Sequence, residues 1–224
     1  MDRTLPNLVF DFDSTLVSVE GADELFARTL DGRPDRVELE HRFRELTDMG
    51  MDGRMSYEDS LRKRLRLLRA TRQDVAEVAR ELIGKITPSV ERARPFLAHH
   101  RERIWIVSGG FEDLIHPVVE ALGLRSAAVR AHRFLWDGEG RIEGADPGTA
   151  LARGGKPEAL RELGLAGPVW VVGDGSTDLE LRAVGLAHRF LAFTENRTRQ
   201  PVVEMADDVL STLDGLVDLI NELE

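Results

Sequence analysis

Four short apolar runs recur along the chain, at Asn7 to Phe12, Arg103 to Val107, Val169 to Gly173 and His188 to Phe193. Their apolar residues fall on consecutive rather than alternate positions. That is the habit of strands buried on both faces, so the pattern predicts a parallel sheet in an α/β protein. Three of the runs stop at polar or glycine-rich turns: Asp11-Phe12-Asp13-Ser14-Thr15, Ser108-Gly109-Gly110 and Gly173-Asp174-Gly175-Ser176. In open α/β sheets ligands bind beyond the carboxyl ends of the strands, so three polar strand ends predict one shared site.

Between the first two runs the pattern changes to a period of three to four. Tyr57, Leu61, Leu65 and Leu68 share one helical face, as do Val75, Val78, Ala79 and Leu82. Thr71 and Asp74 have the spacing of a capping box at the start of the second of these helices. Residues 17–86 therefore predict a small helical cap domain inserted after the first strand, with 1–16 and 87–224 forming the core. A lid of this kind must open to admit a ligand and close to exclude water. Phe134-Leu135-Trp136, then Asp137-Gly138-Glu139-Gly140, then Arg141-Ile142 predict a hairpin. Leu213 to Leu223 reads as an amphipathic closing helix, and no internal repeat is evident.

The chain has 224 residues, 42% of them hydrophobic and 31% charged, an ordinary globular composition that needs no stapling. The absence of cysteine removes disulfides, thiolate catalysis and cysteine-ligated metals from consideration and suits a cytoplasmic protein. No targeting segment or membrane span is expected. A formal net charge of −10 argues against nucleic acid or an anionic membrane as partner. It also means that an anionic ligand must be drawn in by local cations or a metal. The six histidines show no metal spacing. His99-His100 closes a helix and is expected at the surface, and Trp105 and Trp170, inside predicted strands, are expected in the core. Either a monomer or a homodimer is compatible with the sequence.

The polar strand ends carry a definite chemistry. Asp11 and Asp13, two apart, would share a face if the strand continued, and a turn between them would give them separate roles. One can attack while the other handles a proton. Asp174 and Asp178 follow another strand, with Asp178 in the first turn of a helix. Several carboxylates at neighbouring strand ends make a hard, oxygen-rich site suited to Mg²⁺. Lys156, after Gly154-Gly155 at a predicted helix start, can offset their charge. Ser108 with the Gly109 and Gly110 amides, read as opening another helix, forms an anion cradle. Each piece alone has a plainer reading as surface loop, cap or turn. Their joint occurrence, each near a predicted strand, points to chemistry.

Taken together, Asp11-Phe12-Asp13-Ser14-Thr15, Ser108, Lys156 and Gly173-Asp174-Gly175-Ser176-Thr177-Asp178 resemble the four motifs of the haloacid dehalogenase superfamily of aspartate-nucleophile phosphatases. The resemblance implies a Rossmann-like parallel sheet with helices on both faces, plus the helical cap. It further implies that Asp11 attacks phosphorus and Asp13 exchanges protons with leaving group and water. Mg²⁺ would be bound by Asp11, the Asp13 carbonyl and Asp174. Ser108, Gly109 and Lys156 would hold phosphate oxygens, with Asp178 supporting Lys156 or a metal-bound water.

Within the superfamily, Asp11 to Leu25 and Met51 to Arg64 resemble the phosphoserine phosphatase family. That likeness implies Glu20 for a substrate ammonium, Arg64 for its carboxylate, Met51 and Tyr57 over the site, and Thr177 at the substrate. Tyr57 stands where phenylalanine is expected, and Thr177 where asparagine is common. Arg62 and Arg66 lie close enough to Arg64 to be alternatives. The expected activity is Mg²⁺-dependent hydrolysis of a small phosphorylated amino acid, O-phospho-L-serine, to serine and phosphate. Transfer of the phosphoryl group to another alcohol such as homoserine is the alternative, as is hydrolysis of another small phosphorylated metabolite.

Overall fold

In the computed structural model, which describes residues 5–30, 32–51 and 54–224, the first apolar run forms β1 (Asn7–Phe10). Four helices follow: α1 (Gly21–Thr29), α2 (Arg36–Met51), α3 (Tyr57–Leu68) and α4 (Arg72–Ile83). Next come α5 (Pro88–Arg92), α6 (Arg94–His99), β2 (Ile104–Phe111), α7 (Glu112–Ala121) and β3 (Val129–His132). A hairpin of β4 (Phe134–Trp136) and β5 (Ile142–Ala145) leads to α8 (Ala150–Leu163), β6 (Val169–Gly173) and α9 (Ser176–Ala183). The chain closes with β7 (Arg189–Phe193), α10 (Gln200–Val203), β8 (Asp208–Leu210) and α11 (Asp214–Asn221). No helix among the described residues is long and apolar enough to cross a membrane.

Six strands form one sheet in the order β3-β2-β1-β6-β7-β8, and every pairing is parallel. The consecutive apolar residues do what their pattern predicts, because alternate side chains feed opposite faces. Leu8, Phe10, Val172, Leu191 and Phe193 join a core shared with α1, α4, α7 and α11. Val9, Val171, Phe190 and Ala192 join a second core against α8 and α9. Each such Leu, Val or Phe stabilises the fold by about 1.5–3 kcal/mol. β3 and β8 were not evident from the pattern: Val-Arg-Ala-His lacks a continuous apolar run, and β8 is three residues long.

The segment between β1 and β2 is helical, and its two ends are tied together. Val17 and Ile86 form an antiparallel bridge. The Ser18 amide donates to the Lys85 carbonyl at 2.9 Å, and the Thr87 amide to the Leu16 carbonyl at 3.0 Å. Thr87 Oγ1 donates to the Thr15 carbonyl at 2.7 Å. α4 packs along α7, burying Val75, Val78, Ala79 and Leu82. Thr71 and Asp74 make the capping box that starts α4. Beside it the hairpin turn is stitched on by the Arg72 amide to the Gly140 carbonyl and the Ile142 amide to the Ala70 carbonyl.

Three expectations need correction. β2 runs on through Ser108, Gly109 and Gly110 to Phe111, so the Ser-Gly-Gly stretch is an irregular strand end and α7 begins only at Glu112. His100 is buried against Phe96, its ring 4.5 Å away, and only His99 faces solvent. Trp105 and Trp170 are half-buried; each is covered by a guanidinium, Arg125 and Arg189 respectively.

His132, at the end of β3, lies beside Phe111, which stacks on Phe134. Burial pushes its pKa down to about 4 from the usual 6.5. At neutral pH the ring is neutral in both states and nothing is lost. As pH falls from 6.5 to 4 the unfolded chain takes up a proton that the native state refuses, so stability drops, by about 3 kcal/mol in all. His132→Leu should therefore flatten the fall of the urea midpoint across that pH range. An equally steep fall in both proteins would remove His132 as its cause.

Candidate active site

The chain leaves β1 at Asp11 and enters a tight turn, Phe12–Leu16, in which Ser14 takes a positive φ of 54°. This turn decides the question left open by the two-residue spacing, since it sends the two carboxylates to different neighbours. Asp11 Oδ1 accepts from the Phe12 amide at 2.7 Å and lies 2.9 Å from Lys156 Nζ. Both of these contacts are made by Oδ1. Asp13 Oδ1 instead accepts from the Gly21 amide at 2.7 Å. A methyl group on Gly110 would come within 3.2 Å of both Asp13 Oδ2 and Ser108 Oγ, which brings the Ser-Gly-Gly strand end to Asp13. Ser108 is fully buried, and its Oγ already accepts from the Gly110 amide at 3.0 Å. Burial foremost, then the charge of Glu20, raises the Asp13 carboxyl well above the usual range, against the Gly21 hydrogen bond. A shift in that direction suits a carboxyl that passes a proton to and from a reacting group.

Lys156 is delivered by a break in α8. Gly154 and Gly155 leave helical geometry, Gly155 with a φ of 66° that a side chain would disfavour, and the helix resumes at Lys156. Its ammonium is buried, 2.9 Å from Asp11 Oδ1 and 2.7 Å from Asp178 Oδ1. Burial works to lower its pKa, but the two carboxylates outweigh that and hold it above its usual value. One cation thus serves two acids.

Asp174 and Asp178 come from the β6–α9 turn. Asp178 Oδ2 accepts from the Gly175 amide at 3.1 Å, which caps α9 and directs Oδ1 to Lys156. The carboxylate lies over Gly173 so closely that a Cβ there would sit 2.4 Å from Asp178 Cγ. Only glycine fits. Burial and then Asp11 push the Asp178 carboxyl up to about 7, against the pull of Lys156. Asp174 is raised by burial and by Asp11, and Arg199 opposes the shift from 3.0 Å. Thr177 is exposed in the first turn of α9.

The remaining predicted residues lie at the edge of this cluster. Glu20 Oε1 accepts from Ser14 Oγ at 2.8 Å, and Glu20 acts electrostatically on Asp13 and Asp174. Arg64 is half-buried on α3 with its guanidinium 5.6 Å from the Phe43 ring centre, and its buried Nε has no hydrogen-bond partner. It acts on Asp23, whose carboxyl is raised by loss of hydration and lowered by Arg64 and then Arg197. Of the alternatives, Arg62 and Arg66 are exposed, and Arg62 is paired with Asp59. Met51 ends α2 and Tyr57 begins α3. Their side chains lie outside the described residues.

One segment was missed. After β7, Asn196, Arg197 and Arg199 turn back towards the site. Asn196 Nδ2 donates to the Ser14 carbonyl at 3.1 Å and to Thr87 Oγ1 at 2.7 Å. Arg197 reaches Glu20, and Arg199 reaches Asp174. The signal was available: this is a fourth strand end followed by polar residues, and the same rule that selected the other three applies to it.

Asp11, Asp174 and Asp178 each offer a carboxylate oxygen, all within 4.8 Å of one another. Crowded, buried oxygen donors of one sign fit a hard divalent cation such as Mg²⁺. Asp178 is committed through both oxygens, to Lys156 and Gly175, whereas Asp11 is engaged through Oδ1 and Asp174 through Oδ2. A carboxylate beside a buried ammonium, an acid with a raised pKa and a carboxylate cluster able to hold a cation together suit transfer of a phosphoryl group.

The haloacid dehalogenase-like hydrolase family matches residues 8–182 of the chain. A protein named phosphoserine phosphatase from Drosophila melanogaster is 32% identical over 213 residues, 93% of this chain and 75% of that protein. The Homo sapiens protein of the same name is 30% identical over 219 residues, 96% of this chain and 92% of that one. Among solved structures, a phosphoserine phosphohydrolase-like protein from Francisella tularensis superposes with a TM-score of 0.82 at 29% identity, covering 96% of this chain and 100% of that one.

Proposed function

Because the chain belongs to the haloacid dehalogenase-like hydrolases, we propose that it hydrolyses O-phospho-L-serine through a phosphoryl group carried on Asp11. It is a phosphoric monoester hydrolase; the substrate, the intermediate and the cofactor are the proposal. The observation that carries it is the Asp11–Lys156–Asp178 arrangement, with Asp11 Oδ1 fixed by two donors and Oδ2 left to react.

Asp11 Oδ2 attacks phosphorus, forming an acyl-phosphate bond as the ester P–O bond breaks. The departing serine oxygen takes the proton that Asp13 holds. Asp13, now ionised, removes a proton from water, which attacks phosphorus and releases phosphate and free Asp11. Lys156 and Ser108 bind phosphate oxygens, and Lys156 lessens the repulsion between phosphate and the acids around it. Asp11, the Asp13 carbonyl and Asp174 would hold Mg²⁺, which when bound supplies positive charge against the phosphate oxygens. Asp178 keeps Lys156 in place.

The helical insert, residues 17–86, acts as the cap, and it carries the groups that select the alcohol. Glu20 takes the substrate ammonium and Arg64 the carboxylate. The buried Arg64 Nε without a hydrogen-bond partner supports the latter, since a half-buried guanidinium gains from a bidentate anion.

The test is phosphate release with Mg²⁺ from phosphoserine, phosphothreonine, phosphoethanolamine and a sugar phosphate. We expect phosphoserine to have the highest kcat/KM and EDTA to abolish activity. Preference for another monoester, undiminished by changing Glu20 or Arg64, would sink the substrate assignment. Faster turnover on adding homoserine, with phosphohomoserine formed, would instead make the protein a phosphotransferase.

A further inference from the structure

The loop that follows β7 places a cation on the carboxylate proposed to receive the substrate ammonium. Arg197 Nη1 lies 3.4 Å from Glu20 Oε1, on the same oxygen that accepts from Ser14 Oγ. Both partners are substantially exposed, Arg197 at 51% and Glu20 at 37%, so the pair is weak and easily exchanged. Glu20 stands beside Asp13 and Asp174 and acts on both, so in the empty site an unpaired Glu20 would add to a crowd of negative charge. Arg197 relieves that. It belongs to neither the strand-end motifs nor the helical insert, and nothing in the proposed chemistry uses it.

We propose that Arg197 is a specificity-determining residue that occupies the ammonium position of the empty site and must be displaced by an amine-bearing substrate. The inference rests on the assignment of Glu20 as the ammonium receptor. Three consequences follow from charge alone. The empty site is kept near neutrality at its rim. A monoester with an alcohol in place of the ammonium gains little at Glu20, because a neutral hydroxyl is a poor rival to a guanidinium. A monoester with an ammonium exchanges one cation for another, and its binding is weakened by the strength of the pair it breaks.

O-phospho-L-serine and 3-phosphoglycerate differ at that position, ammonium against hydroxyl, and serve as the probes. Each is measured by KM, or by competitive inhibition constant where turnover is slow, on the wild type, Arg197→Gln and Arg197→Lys. The wild type should favour phosphoserine. Arg197→Gln should widen that preference by lowering the phosphoserine constant about three- to fivefold relative to the phosphoglycerate constant. Arg197→Lys, which keeps a cation, should restore most of the wild-type ratio. A purely structural role would shift both constants together and would not be rescued by charge. An unchanged or narrowed ratio in Arg197→Gln, with the wild-type preference intact, overturns the inference while leaving Glu20 in its role. A wild type without preference for the ammonium compound removes the Glu20 assignment first, and the inference falls with it.

Discussion

Asp11→Asn is expected to lower the rate of phosphate release by about 10⁴-fold or more, a loss typical of removing a nucleophile that acts as part of a unit. The substitution keeps the shape of the side chain and its Oδ1, which can still accept from the Phe12 amide. What disappears is the charge on the oxygen that would attack. The fold should survive, because the ordered neighbours of Asp11 are backbone and Lys156, and Lys156 retains Asp178. Acid quenching of the wild type during turnover should trap a phosphoryl adduct, detectable by mass and absent from the Asp11→Asn variant. Near-normal turnover in the variant would falsify the assignment of Asp11.

Lys156→Met carries the second large effect, and it is felt in stability as well as rate. The ammonium sits between two buried carboxylates, and removing it leaves both without their cation. Losing one member of a buried charged group costs about 3–5 kcal/mol. The loss should depend on pH with a definite sign. Asp178 has a pKa raised to about 7 even with Lys156 present, and without it the value moves higher. A carboxyl whose pKa is higher in the native state than in the unfolded chain favours folding at low pH and loses that contribution as pH rises through the native value. The stability deficit of the variant should therefore be small near pH 5 and large near pH 8. Adding Asp178→Asn removes one of the two competing charges and should recover part of the deficit at pH 8 without restoring activity. A deficit independent of pH would mean that Lys156 acts by packing alone.

The sheet and its order of events were legible because parallel strands buried on both faces leave continuous apolar runs, as Leu8 to Phe10 and Val169 to Val172 do. The capping box at Thr71 and Asp74 and the 134–145 hairpin were legible for a similar reason: each is decided by residues a few positions apart. What sequence could not show is decided across the fold. The glycines before Lys156 marked a helix start, yet only the structure reveals that they interrupt a helix already under way. Ser108 to Gly110 carried the composition of a helix-opening turn, but pairing with β3 holds Phe111 in the strand. Arg199 looks ordinary in a polar loop and meets Asp174 only because β7 lies next to β6, whose end leads into Asp174.

The paired ends of the helical insert have a consequence for the history of such a chain. Val17 and Ile86 are already joined where the segment leaves and re-enters the sheet domain, with Ser18, Thr87 and Lys85 reinforcing the joint. The cost of closing a loop depends on its ends and only slowly on its length. Between those anchors the chain can change in length at little cost in loop closure, provided that α4 keeps its seat on α7.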